Sequence, residues 1–292
     1  EIKTKPTQHS VMRLREIGLE PDILVCRTED ENHLTSKLKS KLGLFCNIEK
    51  NYVFESPDVE TIYEIPLVLF RQGFDRAICK RLLLRNKKHT KIKLLEKFIR
   101  SYKNPRSSVT IAMCGKYNSL HDAYKSILEA LIHAGVENIS KVNIKWVDTE
   151  KLEKNNNQID SFFKNVDGII IPGGFGDRGI EGKILSSKYA RENNIPFLGI
   201  CLGLQCAVID YARHVCDMKN ANSTEFNSTV RFPVIDLMSK QKNVHTKGAT
   251  MRLGKYNCNV KGRTKAYSAY GKRIINERHR HRYEVNNKFR DK

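Results

Sequence analysis

Five residues, Gly199-Ile200-Cys201-Leu202-Gly203, stand between an apolar run, Ile195 to Leu198, and a segment from Leu204 to Val215 whose apolar residues recur at helical spacing. A run so short and so apolar reads as a buried parallel strand, and a strand feeding straight into a helix predicts an α/β layer. The cysteine falls on the turn between them. Its flanking glycines lack Cβ atoms, so the turn is free to be sharp and the central side chain stands clear of backbone, which is the logic of a nucleophile elbow. A thiol at a helix N-terminus also feels the positive end of the helix dipole, which predicts a lowered pKa and a nucleophilic thiolate. Cys201 is therefore the candidate nucleophile. The pentapeptide alone leaves a second reading open, a buried cysteine on a tight turn.

The same alternation of strands and helices runs through the chain. Before residue 107, helical spacing covers Val11 to Ile17 and Ile62 to Phe70, and strands are expected at Ile23 to Cys26 and Leu42 to Ile48. Ser56-Pro57-Asp58 reads as a turn. Lys3 to Ser10 reads as a polar loop; if extended, it sets Lys3 and Lys5 on one side, beside the Thr4 and Thr7 hydroxyls. Such a loop either holds a polyphosphate or is simply solvated. Residues 86–106 form a basic connector. Beyond it, strands are expected at Val109 to Cys114, Val142 to Val147 and Asp167 to Ile171, and a helix begins near Asp122. The expected architecture is α/β with two domains, each a largely parallel sheet flanked by helices: residues 1–85, a linker at 86–106, and residues 107–292.

The third of these strands ends in Pro172-Gly173-Gly174-Phe175-Gly176-Asp177-Arg178-Gly179. Gly182-Lys183 nearby does not make a P-loop, because Asp177 stands where the first glycine belongs and Ile184 follows the lysine. The loop reads better as part of an oxyanion hole, with the N–H groups of Gly174 and Leu202 meeting a negative oxygen from two sides.

Composition narrows the function classes. The net charge of +20 is concentrated: residues 71–106 carry 13 Lys/Arg against 2 Asp/Glu, and residues 252–292 carry 13 against 3. Neither patch has the interleaved aromatics of a base-stacking surface, so no nucleic-acid partner is expected. No apolar stretch approaches the roughly 20 residues of a membrane span, and no signal-peptide pattern is present. The expected location is the cytoplasm. The eight cysteines show no Cys-x-x-Cys and no zinc spacing, and are read as reduced thiols.

Longer motifs then carry a resemblance. Pro172 to Gly176, Arg178 to Gly182, Ala190 to Pro196, Gly199 to Gly203, Asn222 to Phe226, Thr250 to Gly254 and Glu277 to Asn286 occur in the order found in CTP synthases. The opening Lys3 to Ser10 resembles the pyrimidine-nucleotide loop of that family's synthetase domain.

The resemblance implies a scheme of chemistry and a set of site residues. By that likeness the second domain is a class I glutamine amidotransferase whose cysteine attacks glutamine, and ammonia passes inside the protein to the first domain. There Mg-ATP phosphorylates the C4 oxygen of UTP, and ammonia displaces the phosphate to give CTP. Glutamine binding carries over to Gly174, Leu202, Gly203, Leu204, Gln205, Glu225 and Arg282, with Glu225 taking the substrate ammonium. UTP, or the inhibitor CTP, carries over to Lys3, Thr4, Lys5, Pro6, Thr7, Gln8 and Lys41, and ATP to Val59. Arg178, Gly179 and Glu181 resemble part of the lid linked to GTP activation, although Lys247-Gly248-Ala249 departs from the family's usual pair of glycines. The family also implies homotetramers and, in some members, filaments.

One part of the pattern is absent. The family's His-Glu pair lies on a His-Pro-Glu run, and none of the nine histidines here is followed by proline. His279 and His281 are poor substitutes, since their basic neighbours disfavour an imidazolium. The ATP loop and Mg2+ carboxylates precede residue 1 in the family, so the chain is expected to be a fragment. Two rivals remain: a stand-alone hydrolase with the same elbow, and a non-catalytic nucleotide-binding or assembly piece whose elbow is vestigial.

Overall fold

The computed structural model describes residues 3–85, 91–116, 121–238 and 254–292. The departure at Lys247 to Ala249 and most of Thr250 to Gly254 lie outside the described residues. Contacts divide the chain into two compact units, Glu1–Pro105 with Val136–Ile139, and Arg106–Gly135 with Ser140–Lys292.

The first unit comprises α1 (Lys5–Glu16), β1 (Leu24–Thr28), α2 (Ser36–Cys46), β2 (Val53–Pro57), α3 (Ile65–Arg71), α4 (Phe74–Arg81) and α5 (Ile92–Lys103). β1 and β2 pair in parallel, Leu24 opposite Val53. Val11, Leu34, Leu42, Cys46, Ile48 and Val53 form its core.

Three expectations fail in this unit. Leu42 to Ile48 is not a strand: α2 starts at its cap, where Thr35 Oγ1 accepts from the Leu38 N–H, and ends at Asn47 in the left-handed region. Leu42 and Cys46, one helical turn apart, are buried while Leu44 and Phe45 face out, so the apolar residues follow helical spacing and not alternation. Lys3 to Ser10 is not an extended loop either. α1 begins at Lys5, because a proline in the first turn has the backbone angle of a helix and gives up an N–H that no helix carbonyl would receive. Ser56-Pro57, read as a turn, closes β2, and the Asp58 N–H donates to the Thr28 carbonyl.

The second unit contains β3 (Ser107–Gly115), α6 (Lys125–Glu137), β4 (Ser140–Asp148), α7 (Thr149–Lys154), α8 (Ile159–Phe163), β5 (Gly168–Ile171), α9 (Ile180–Glu192), β6 (Phe197–Gly199) and α10 (Leu202–His214). After these come β7 (Asn222–Ser223), β8 (Pro233–Leu237), β9 (Gly254–Asn259), α11 (Lys265–Tyr270), β10 (Ile274–His279) and β11 (Tyr283–Val285). The main sheet has the order β4-β3-β5-β6, all parallel. The α/β expectation of parallel sheets flanked by helices is borne out.

This topology positions the site. β5 and β6 are neighbours, so the glycine loop after β5 and the turn after β6 emerge side by side at the carboxyl ends of the strands, where open α/β sheets bind ligands. Ile180, Ile184, Leu202, Cys206, Ile209 and Ile235 bury the inner faces of α9, α10 and β8 in one cluster. Gly182 lets α9 approach α7 so closely that a Cβ there would be driven into the Thr149 carbonyl.

Candidate active site

Cys201 immediately precedes α10, with φ 53° and ψ −104°. A side chain rarely adopts that conformation, and the surrounding backbone holds it in place. The Ile200 N–H donates to the Ile171 carbonyl at 2.9 Å, the Gly203 N–H to the Ile200 carbonyl at 2.9 Å, and the Gln205 N–H to the Cys201 carbonyl at 3.2 Å. The strained angle falls on the cysteine itself, while the glycines serve close approach. A Cβ on Gly199 would lie 2.5 Å from the Gly203 carbonyl carbon, and one on Gly203 would be driven into the Ile171 carbonyl oxygen.

The electrostatics correct one expectation. Burial pushes the Cys201 thiol above its ordinary pKa; a backbone bond from Leu202 lowers it, and the charge of Glu225 raises it again. Desolvation of a thiolate thus outweighs the helix N-terminus, and the resting group is the thiol. To act as a nucleophile, the sulfur would need a proton acceptor.

Gly174, Phe175, Cys201, Gln205, Glu225 and Arg282 line one small cavity, together with His281 and Tyr283. Gly174, Cys201, Gln205, Glu225 and Arg282, all expected at the site, are therefore brought together from separate stretches of chain. Gln205 Nε2 donates to the Tyr283 carbonyl at 3.0 Å, tying α10 to β11, and the Met238 N–H donates to the Arg282 carbonyl at 2.9 Å. The Glu225 N–H donates to Ser223 Oγ at 3.1 Å, which orients the turn bearing its carboxylate. Lys116 Nζ donates to the Phe175 carbonyl, and the Arg280 guanidinium lies 6.0 Å from the Phe175 ring centre. Burial, and then the neighbouring His279, lower the His281 pKa and keep its imidazole neutral.

Phe175 and Tyr283 were not expected as lining residues, whereas the resemblance places His281 on the substrate side. The signal was present in the alternation His281-Arg282-Tyr283 leading into a strand and in the one large side chain among the loop glycines. Other expected residues lie elsewhere. Leu202 is buried beneath the elbow, Gly203 packs on β5, and Leu204 is 52% exposed on α10. Glu181 receives two bonds from Arg213, at 2.7 and 3.1 Å, and Arg178 lies 3.5 Å from Glu150.

In the first unit, Lys3, Lys5 and Lys41 are exposed, while Thr4 is buried and its hydroxyl accepts from Gln8 Nε2 at 3.2 Å. Pro6 and Thr7 lie in the first turn of α1, and Val59 follows β2 half-buried. A larger cavity, lined by Thr35, Ser36, Lys39, Glu55, Arg71 and Gln72 among others, contains none of these expected residues. Among the described residues, no three His, Cys, Asp or Glu side chains converge as metal ligands. Nor is any helix among the described residues long and apolar enough to cross a membrane.

Residues 119–292 match the family model described as glutamine amidotransferase class-I. The chain belongs to that family. Class-I amidotransferase character thus covers the whole cavity around Cys201, and residues 1–84 match a second model, the CTP synthase N-terminus. Among similar proteins, the CTP synthase of Clostridium beijerinckii is 53% identical over 99% of this chain and 53% of its own length. That of Caldanaerobacter subterraneus is 53% identical over 100% of this chain and 53% of its own length. The chain spans about half the length of these relatives. A solved structure, the Trypanosoma brucei CTPS glutaminase domain with bound acivicin, aligns with a TM-score of 0.58 at 39% identity, covering 63% of this chain and 70% of that one. The resemblance to CTP synthases is borne out along the chain.

Proposed function

We propose that the chain is part of a CTP synthase, in which ammonia released from glutamine at Cys201 aminates UTP to CTP at the expense of ATP. The observation that carries this reading is one cavity shared by a cysteine on a strained strand-to-helix turn, a glycine loop, a carboxylate and an arginine. The match of residues 1–84 to the CTP synthase N-terminus favours it over a stand-alone hydrolase and over a piece with a vestigial elbow. Residues 1–85 are the synthetase portion, 86–106 the linker, and 107–292 the amidotransferase portion.

In this reading Cys201 gives up its proton, its sulfur bonds to the carboxamide carbon of glutamine, and the N–H groups of Gly174 and Leu202 hold the oxyanion. The C–N bond breaks as the leaving nitrogen takes a proton, ammonia departs, and water cleaves the thioester to glutamate. Glu225 pairs with the substrate ammonium by charge-assisted bonds, and Gln205 and Arg282 shape the remainder of the pocket. The proton acceptor is the family's His-Glu pair, expected outside this chain, while neutral His281 belongs to the substrate side. Lys3 to Gln8 with Lys41 take UTP or CTP; the positive end of α1 favours a phosphate beside those lysines. Val59 meets ATP, whose Mg2+ ligands are expected outside this chain. Arg178, Gly179 and Glu181 serve GTP activation. The intact enzyme is a cytoplasmic homotetramer, with filaments in reach of the family.

The test uses the full-length protein that contains this chain. Cys201→Ala abolishes glutamine-dependent CTP formation and leaves ammonia-dependent formation intact; loss of both makes Cys201 a structural residue.

A further inference from the structure

Gly182-Lys183 fails as a P-loop, and glutamine hydrolysis at Cys201 gives the lysine no direct task. Lys183 is nonetheless only 3% exposed. Its Nζ donates to the carbonyl of Arg178 at 3.3 Å and to that of Gly179 at 3.4 Å. These two residues end the glycine loop and deliver the chain into α9. Gly179 has φ 66°, and a Cβ on it would be driven into Thr149 Oγ1. The backbone at this point is thus pinned by Thr149 on one side and by the Lys183 amine on the other. The Gly179 carbonyl also accepts the Lys183 backbone N–H at 3.1 Å, so the side-chain amine adds a second donor there and, with the Arg178 carbonyl, ties the end of the loop to α9.

The surroundings argue against an ordinary ion pair. Cys206 on α10, Lys116 after β3, Glu150 on α7 and Cys114 on β3 are the titratable groups that act on the amine, and burial, the largest influence, lowers its pKa. A second lysine, Lys116, holds the Phe175 carbonyl of the same loop. The loop carrying Gly174 is therefore tied by amines at its middle and at its end.

We propose that Lys183 is a positioning residue for glutamine hydrolysis: by fixing the Arg178 and Gly179 carbonyls it holds the Gly173 to Gly176 loop in register with Cys201. This rests on the reading of the second unit as a glutaminase. A small misplacement of a group at the reacting centre costs rate far more than binding.

In the full-length protein, Lys183→Met keeps chain length and removes the amine. The expected result is a kcat for glutamine hydrolysis about tenfold lower with KM within about twofold. The unfolding temperature is unchanged or higher, and ammonia-dependent CTP formation is unchanged. An unaltered kcat overturns the inference, as does a kcat loss accompanied by a clear drop in unfolding temperature. If Lys183→Met is insoluble, Lys183→Leu is read by the same criteria, and insolubility of both makes Lys183 purely structural. Absence of Cys201-dependent hydrolysis in the wild type would fail the glutaminase reading; intact hydrolysis in both wild type and Lys183→Met would fail this inference alone.

Discussion

Cys201 and Glu225 share one small cavity in which burial holds the thiol protonated and the carboxylate's charge adds to that effect. The pH profile of Cys201 alkylation by iodoacetamide should therefore have its midpoint above about pH 8.5, the midpoint of an ordinary thiol. Glu225→Gln removes the opposing charge, so the profile should move to lower pH and the rate at about pH 8 rise about threefold. A profile that Glu225→Gln leaves in place would mean that the carboxylate does not act on the sulfur.

Gly203 has no room for a side chain beneath the Ile171 carbonyl, whereas a methyl added at Gly262 would meet nothing within 4 Å. Urea unfolding should show Gly203→Ala losing roughly 2 kcal/mol or more, with Gly262→Ala within about 0.5 kcal/mol of wild type. Equal stabilities for the two variants would contradict the close approach of α10 to β5.

Burial pushes the Cys114 and Cys206 thiols up to about 12. In the unfolded chain they ionise at about 8.5, so that state loses protons first and the fold loses stability as pH rises from there toward about 12. Each thiol contributes a slope of about 1.4 kcal/mol per pH unit in that window. Lys183, lowered by burial, works the other way: it adds stability as pH rises from its folded value toward about 10.4. The two thiols outweigh it, most steeply above that point. Unfolding midpoints between about pH 8.5 and about pH 11 should fall, and Cys206→Val should make the fall shallower.

Arg213 joins α10 to both the Glu181 carboxylate and the Ala221 carbonyl, the latter at 2.7 Å. Arg213→Ala leaves that buried carbonyl without its donor and should cost about 2 kcal/mol in urea unfolding. Glu181→Gln, which keeps the carbonyl bond, should cost less than half as much. Equal losses would place the main role of Arg213 in the ion pair.

The elbow, the glycine loop and the parallel sheet of the second unit were legible in the sequence, because short apolar runs meeting glycines form a pattern that local sterics enforce. The first unit was less so. Leu42 to Ile48 misled because a short apolar run carries no periodicity of its own; only the buried partners of Leu42 and Cys46 fix it as a helix. Lys3 to Ser10 misled because polar residues say little about backbone, although Pro6 held the clue. The state of Cys201 was illegible for another reason. A helix dipole is visible in sequence, whereas the desolvation that overrides it depends on residues from distant parts of the chain.

In the proposed reading one sulfur out of eight meets glutamine, and on that the chemistry assigned to the second unit depends. Treating the full-length protein with acivicin and mapping the modified peptides tests it directly. The expected result is a single adduct, on Cys201, formed more slowly when glutamine competes. Labelling spread over several cysteines, or an adduct elsewhere with Cys201 untouched, would contradict it.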